Sequence, residues 1–222
     1  MNRLSSLFSV ILLFFAAAFF ASCSKDDNKA KVMVVHASPD APGVDILIDN
    51  SKVSNAVLTF PNNTGYLNIE PGVRNIKVNA AGTSTSVINA DVTFKENLNF
   101  SIFAVNTLDK IEAVLVEDDL TAPASGKAHV RFAHLSPDAP AVDVALKGGA
   151  VLFPNFSFKT FSNFAPIDAG SYTLEVRLAG TQTVALELPP ISLASGKIYT
   201  IFARGLAAGG NNPLGAEIIN NN

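Results

Sequence analysis

A ten-residue motif occurs twice in the chain, and its two copies constrain the fold more than any other feature. HASPDAPGVD occupies residues 36–45, and HLSPDAPAVD occupies residues 134–143. The same offset relates Phe60 to Phe158, and it grows by one residue by the time FSIFA at 100–104 is matched by YTIFA at 199–203. A unit of nearly 100 residues is too long for a solenoid repeat and has the size of a domain. The sequence therefore predicts two tandem domains of one design.

Alternating apolar and polar residues in each unit indicate half-buried β-strands. Residues 44–48 and 76–79 of the first unit and 172–178 of the second show this period of two. Turn-forming Pro, Gly and Asn residues separate the runs at roughly ten-residue spacing, which is typical of an antiparallel sandwich. We predict an all-β chain of two antiparallel β-sandwich domains, immunoglobulin-like or transthyretin-like. The predicted domains cover residues 31–117 and 127–222, with a linker at 118–126.

Several strands can be predicted individually. Residues 31–36 and 44–48 flank the first motif and should form the first two strands. Residues 100–105 and 199–203 are continuously apolar, which favours central strands, and 215–219 should form the last one. We expect an exposed hairpin loop at 209–213 and fraying of the three asparagines at 220–222.

The N-terminus has the features of an export signal. A short basic segment is followed by an apolar run at residues 7–20, which has the length of a signal-peptide core rather than of a membrane span. Ala21-Ser22-Cys23 then resembles the lipobox of bacterial lipoproteins, and Cys23 is the only cysteine of the chain. The resemblance implies removal of a signal peptide at residues 1–22 and lipidation of Cys23, with residues 23–30 as a polar tether.

The tether also suggests where the anchored protein resides. Lys25-Asp26-Asp27 resembles the signal that sends lipoproteins of the Bacteroidetes group to the outer face of the outer membrane, although a generic hydrophilic spacer would look the same. We therefore expect a lipid anchor in the outer membrane with the domains exposed at the cell surface.

Composition excludes some classes of function. The formal net charge is −3, and no run of Lys and Arg provides a surface for phosphates, so nucleic acid is not an expected partner. A single cysteine allows neither an internal disulfide nor a multi-thiolate metal site.

The paired motif has two interpretations. His36, Asp40 and Asp45, repeated as His134, Asp138 and Asp143, could form a metal site or a catalytic site, because imidazole and carboxylate groups bind divalent cations. Alternatively the motif is a structural corner, since two prolines make the turn rigid and the acids can bond to backbone N–H groups. In the second interpretation Asp40 bonds across its own turn and Asp45 ties that turn to the next strand. We favour the corner, because the motif occurs at the same place in each unit.

Other routes to catalysis have little support in the sequence. Ser38 is too close to His36 along the chain for the usual nucleophile geometry, and no nucleophile elbow, zinc-protease motif or phosphate-binding loop is present. We predict no catalytic residue, no bound metal and no cofactor.

Five phenylalanines are clustered in the second unit. They could form an exposed binding patch, but core packing and an interdomain contact are the favoured interpretation. The cluster consists of Phe153, Phe156, Phe158, Phe161 and Phe164.

The paired motif resembles the family called domain of unknown function 4397, found in bacterial surface and secreted proteins. The resemblance implies β-sandwich domains in the cell envelope and implies no reaction. We therefore expect a non-catalytic binding or structural module with a surface protein or a glycan as partner. The alternative is a metal-dependent or hydrolytic module that uses the two corners.

Overall fold

The computed structural model describes residues 28–222, and Cys23 and the predicted signal peptide lie outside them. The described chain contains strands and one short 3₁₀ turn at Leu108–Lys110. The strands of the first sandwich are β1 (Ala30–His36), β2 (Val44–Ile48), β3 (Ser51–Lys52), β4 (Leu67–Ile69), β5 (Gly72–Ala80), β6 (Ser86–Phe94), β7 (Asn99–Val105) and β8 (Glu112–Asp118).

The second sandwich repeats this order. Its strands are β9 (Lys127–His134), β10 (Val142–Leu146), β11 (Val151–Phe156), β12 (Ala165–Asp168), β13 (Gly170–Tyr172), β14 (Leu174–Leu178), β15 (Val184–Glu187), β16 (Ile191–Leu193), β17 (Ile198–Arg204) and β18 (Gly215–Asn220). The long hairpin β5–β6 of the first sandwich corresponds to β13 to β16, in which both strands are interrupted.

Each sandwich consists of an outer and an inner sheet. The outer sheets have the orders β3-β2-β5-β6 and β11-β10-β14-β15, and β13 and β16 form a separate two-stranded sheet. The inner sheets have the orders β4-β1-β7-β8 and β12-β9-β17-β18. Most neighbouring strands are antiparallel, but β1 runs parallel to β7 and β9 runs parallel to β17. The predicted all-β class and the two tandem sandwiches are confirmed.

The inner sheets are buried on both faces. Val32 and Val34 of β1 point into the core of the first sandwich, whereas Met33 and Val35 belong to a third apolar cluster. That cluster also contains Phe103 of β7 and residues of the second sandwich, so it joins the two domains. The molecule is therefore built from four stacked sheets with three apolar layers between them. Burial on both faces explains why β1 and β7 are nearly continuously apolar in sequence.

Individual strand predictions can be compared with these bounds. The strand at Val44–Ile48 has the predicted limits, and β1, β7, β17 and β18 agree with the predictions to within a residue. β8 ends at Asp118, the first residue of the predicted linker, and β9 begins at Lys127. The predicted fraying of the C-terminus is wrong. Asn221 is 2% exposed, and its side chain accepts a hydrogen bond from Thr200 Oγ1 at 2.8 Å.

Candidate functional site

The two histidines of the repeated motif are buried at the ends of β1 and β9. His36 is 1% exposed and His134 is 0% exposed. The Nε2 atom of His36 lies 3.0 Å from the carbonyl oxygen of Pro42, and that of His134 lies 3.1 Å from the carbonyl oxygen of Pro140. Each ring thus spans its own turn and holds the end of the turn against the end of the strand.

Burial also keeps both imidazoles neutral. It lowers the pKa of His36 and of His134 below the ordinary value, and the hydrogen bond to the proline carbonyl opposes this only in part. With Nε2–H donated to the carbonyl oxygen, no ring nitrogen faces solvent. The histidines therefore have a structural role, which is to hold the two ends of the turn together.

Asp40 and Asp138 each connect their own corner to a loop elsewhere in the same sandwich. Asp40 Oδ1 accepts a hydrogen bond of 2.8 Å from the backbone N–H of Leu108. Asp138 accepts bonds of 2.7 and 2.9 Å from the N–H groups of Ala207 and Ala208, at the corresponding place in the second sandwich. The expectation that Asp40 bonds across its own turn is wrong, because its acceptor atoms reach the loop after β7.

The electrostatics of Asp138 reflect these bonds. Burial acts to raise the pKa of its carboxyl group, but the hydrogen bonds from Ala208 and Ala207 outweigh it and lower the pKa overall. The ionised carboxylate therefore fastens the loop between β17 and β18 to the corner.

Asp45 and Asp143 are bonded to a third element. Asp45 Oδ2 accepts from the N–H of Gly82 at 3.0 Å, and Asp143 Oδ2 accepts from the N–H of Gly180 at 2.9 Å. These glycines have φ angles of +71° and +72°, which a residue with a side chain rarely adopts. The expectation that Asp45 ties the proline turn to its strand is wrong. The aspartate instead fixes the turn that follows β5.

The remaining oxygens of these aspartates are also engaged. Lys52 Nζ lies 2.7 Å from Asp45 Oδ1, and this interaction, with the Gly82 bond, lowers the pKa of Asp45. Asp143 Oδ1 accepts from the N–H of Asn155 at 2.7 Å. Within residues 28–222 no group of three His, Cys, Asp or Glu side chains is placed to hold a metal ion. Each motif thus sends its three side chains to three different partners.

The phenylalanine cluster is divided between two layers. Phe153 and Phe156 pack with Phe132 in the core of the second sandwich, with ring centroids 5.3 to 6.2 Å apart. Phe158 and Phe161 pack on the interdomain cluster, and the Arg131 guanidinium lies 4.7 Å from the Phe164 ring. The cluster is core and interface rather than an exposed patch.

A groove lies at the edge of the first sandwich, between edge strands β3 and β4. Its two sections, of about 430 and 520 Å³, share Val53 and Leu67. We call it the edge groove. Its floor is aliphatic and consists of Ile46, Ile48, Val53, Leu58, Leu67 and Ile69. Its rim carries uncharged hydroxyl and amide groups, from Ser54, Thr59, Asn62, Asn63, Thr64 and Asn68.

Charged residues occur at one end of the edge groove and are paired there. Arg74 donates to the carbonyl oxygen of Glu70 through Nε at 2.9 Å, and its Nη1 lies 3.3 Å from Asp49. Lys52 is held by Asp45, as described above. Lys29 Nζ lies 3.7 Å from Glu70 Oε1, so each charged side chain at this end of the groove has an oppositely charged neighbour.

In the second sandwich the corresponding space is filled. In the first sandwich Val44 forms a bridge with Leu58. At the equivalent position of the second sandwich, Val142 pairs with Phe156. Similarly, Val144 pairs with Phe153, whereas its counterpart Ile46 accepts a hydrogen bond from the N–H of Val53. Two phenylalanine rings thus stand where the first sandwich has Leu58 and Val53.

A tyrosine completes the filling. Tyr172 lies 98 residues after Arg74, and its hydroxyl donates to the carbonyl oxygen of Asp168, the counterpart of the Glu70 carbonyl that Arg74 uses. The cavity left among Phe153, Tyr172 and their neighbours measures about 10 Å³. The edge groove is not among the features predicted from the sequence. Its signal was present in the aligned repeats, as aromatic residues in one copy against smaller or polar residues in the other.

The fold and this groove define a class of protein: a tandem β-sandwich protein whose first domain has an open cleft with an aliphatic floor at its edge. The chain belongs to the family described as domain of unknown function (DUF4397), whose model matches residues 30–145 and 142–222. The family predicted from the paired motif is confirmed.

Two solved structures resemble the chain at low identity. One is CBMbc, of family CBM26, from Eubacterium rectale Amy13K in complex with maltoheptaose, with 10% identity, a TM-score of 0.31 and coverage of 85% of this chain and 96% of that chain. The other is the Bacillus anthracis TIE protein, with 11% identity, a TM-score of 0.26 and coverage of 87% of this chain and 44% of that chain. No curated protein matches the sequence. Among residues 28–222, no helix has the length and apolarity needed to cross a membrane.

Proposed function

We propose that the protein is a non-catalytic binding module, anchored at the outer-membrane surface by lipid on Cys23, and that the edge groove is its binding site. The observation that carries this proposal is the difference between two copies of one design. The second sandwich fills the space with Phe153, Phe156 and Tyr172, whereas the first leaves it open at about 430 and 520 Å³. Concave sites with an apolar floor and a few polar groups are typical of ligand binding.

The corners support a non-catalytic role. A general base needs an accessible ring nitrogen or carboxylate within reach of a substrate. His36 is buried against Pro42, and Asp45 is held between Gly82 and Lys52. No specific observation on residues 28–222 favours the alternative of a metal-dependent or hydrolytic module.

The groove is tested by a binding screen of glycan and protein arrays with the chain from Ser24 onward. A filled variant, Val53→Phe with Leu58→Phe, installs the residues of the second sandwich. Its matched control, Leu115→Phe with Val184→Phe, adds two rings at exposed positions away from the groove. We expect ligands that bind the wild type and the control but not the filled variant. Ligands that bind all three proteins equally, or the absence of any ligand, would contradict the proposed site.

The anchor is tested separately in the full chain. Cys23→Ala removes the thiol that the lipid needs, so the protein should move from the membrane fraction to the soluble fraction. Ser24→Ala is the matched control and should stay with the membrane. Protease added to intact cells should degrade the wild type if the domains are surface-exposed. Unchanged membrane fractionation of the Cys23 variant would refute the lipid anchor.

A further inference from the structure

The second sandwich indicates the kind of group that fits the edge groove. There the same space is occupied by bulky apolar side chains that an extended strand supplies. Phe153 and Phe156 of β11 are three positions apart, and a bulge between them, at which Asn155 has a φ of +56°, brings both rings to the core face. Their centroids are 6.2 Å apart, and Phe153 is only 6% exposed. A ligand that completes the first sandwich in the same way would offer large apolar groups at similar spacing.

The groove has the length of a short extended segment. It follows β1 from the level of Ala30, which pairs with Ile69, to the level of Val35, which bridges Asn63. Five residue steps at about 3.4 Å each give about 17 Å. An extended polypeptide of about five residues spans this distance.

The lining favours a polypeptide over a glycan. A sugar ring packs best on a wide flat face, which aromatic side chains provide, and none of the described residues that line the groove is aromatic. The floor is instead formed by branched aliphatic side chains such as Ile46, Leu58 and Leu67, which suit the insertion of separate apolar side chains.

The borders of the groove can bind a peptide backbone. β3 and β4 are the edge strands of the outer and inner sheet, so each has one side without a neighbouring strand. Such edges offer N–H and C=O groups to an added extended segment. The amides of Asn62, Asn63 and Asn68 extend this hydrogen-bonding capacity along the rim.

We propose that the edge groove binds an extended polypeptide segment of about five residues which, like β11, carries a bulge and inserts two bulky apolar side chains three positions apart. This inference rests on the proposed function and specifies the ligand class of the same site.

The test uses a peptide that copies the natural occupant of the second sandwich. The probe is VLFPNF, the sequence of residues 151–156, with a lysine at each end for solubility. Its control is VLSPNS with the same ends, which keeps the backbone and the proline but lacks both rings. Binding to the chain from Ser24 onward is followed by amide chemical shifts and by calorimetry. We expect shifts at Val53, Leu58 and Leu67, and at least tenfold weaker binding of the control peptide.

Two variants keep the result interpretable. The filled variant Val53→Phe with Leu58→Phe should reduce binding of the probe at least tenfold. Ser54→Trp covers the groove from an exposed rim position and should do the same without altering the floor, so it serves if the filled variant is unstable. Equal binding of the two peptides, or shifts outside the groove, would overturn the inference.

A third ligand separates this inference from the proposed function. Maltoheptaose is a linear, uncharged oligosaccharide of comparable reach. If it binds in the groove and the probe peptide does not, the groove is a binding site as proposed but the ligand class is wrong. If the probe does not bind and the array screen finds no groove-dependent ligand, both proposals fail.

Discussion

The two sandwiches share the hydrogen bonds of their corners but differ in the side chains at one sheet edge. His36 and His134 make the same bond to a proline carbonyl, and Asp45 and Asp143 make the same bond to a glycine N–H. At the edge, by contrast, the first sandwich has Val53 and Leu58 at the positions where the second has Phe153 and Phe156. After duplication the contacts that fix the chain path are retained, and the volume at one edge is where the copies diverge. The edge strand differs as well, since β3 has two residues and β11 has six.

The interface between the sandwiches shows a second departure from symmetry. Phe103 and its counterpart Phe202 meet with ring centroids 6.4 Å apart, as expected when like surfaces face each other. Arg131, however, corresponds to Met33, and only the arginine has an acidic partner, Asp118, at 2.5 Å. Burial and the neighbouring Asp118 charge raise the pKa of the Tyr66 hydroxyl, which donates to that carboxylate. The interface therefore contains a buried polar network around Arg131 and Asp118, and the position equivalent to Arg131 in the first sandwich, Met33, has no such network.

The largest effect is expected at this network. Arg131→Met gives the second sandwich the residue that the first has at Met33. It leaves Asp118, whose side chain is 0% exposed, as an unpaired buried charge. Breaking a buried ion pair in this way costs about 3–5 kcal/mol of unfolding free energy. Urea unfolding followed by circular dichroism measures the loss.

A second variant distinguishes charge from packing. Adding Asp118→Asn to Arg131→Met removes the orphaned charge while leaving acceptors for Tyr66 and Ser101. The double variant should recover at least half of the lost stability. If the two variants are equally unstable, the loss of unfolding free energy comes from packing around the guanidinium. The difference between Arg131 and Met33 would then not be electrostatic.

A somewhat smaller effect is expected from converting the second edge into the first. Phe153→Val with Phe156→Leu opens a cavity in a closed core and should cost about 2–4 kcal/mol. The reciprocal change, Val53→Phe with Leu58→Phe, adds volume next to an open groove and should cost at most about 1.5 kcal/mol, most of it at Leu58, which is 8% exposed. Thermal unfolding of both variants makes the comparison. Equal losses from the two changes would mean that the first edge is as tightly packed as the second.

Much of the fold is predictable from the sequence because it is encoded locally or by repetition. The alternation at residues 44–48 gives β2 its limits, and the shared offset identifies the two domains. The buried corner is predictable from its prolines and from its recurrence in both units. These signals depend on backbone chemistry, which acts over a few residues.

The groove, the interface and the partners of the acids depend on contacts between distant segments. Asp40 bonds to Leu108, 68 positions away, and Arg131 bonds to Thr200, 69 positions away. No pattern around Asp40 distinguishes that partner from an N–H in its own turn. The predicted fraying of the C-terminus fails for the same reason, since three asparagines in a row look solvated until Thr200 of β17 and Tyr66 of the first sandwich supply partners.

The C-terminal asparagine provides a test of intermediate size. Asn221 joins Thr200 to Tyr66, to whose hydroxyl its Nδ2 donates at 3.2 Å, whereas 99 residues earlier the first sandwich has Ala122. Asn221→Ala leaves buried hydroxyl groups with fewer partners and should cost about 1–3 kcal/mol. Asn220→Ala, at an exposed neighbouring position, is the matched control. If the two variants are equally stable, Asn221 does not fasten the domains together.

The smallest expected effect concerns the two corners, which should respond alike to pH. In the unfolded chain His36 and His134 titrate near their ordinary pKa of about 6.5, and burial lowers the pKa of both in the folded chain. Below that ordinary pKa the unfolded chain therefore binds protons that the folded chain does not. Stability should be constant above about pH 7.5 and should fall as the pH decreases through 6.5 towards the folded pKa.

Urea midpoints at pH 7.5, 6.5 and 5.5 measure this slope for the wild type and for single glutamine variants. Gln keeps a side-chain N–H for the proline carbonyl but does not titrate, so His36→Gln and His134→Gln should each remove about half of the slope. Because the two rings have nearly the same burial and the same hydrogen bond, unequal losses would show that the first corner differs from the second in the folded chain. The equivalence of the corners, on which the contrast with the edge groove rests, would then be wrong.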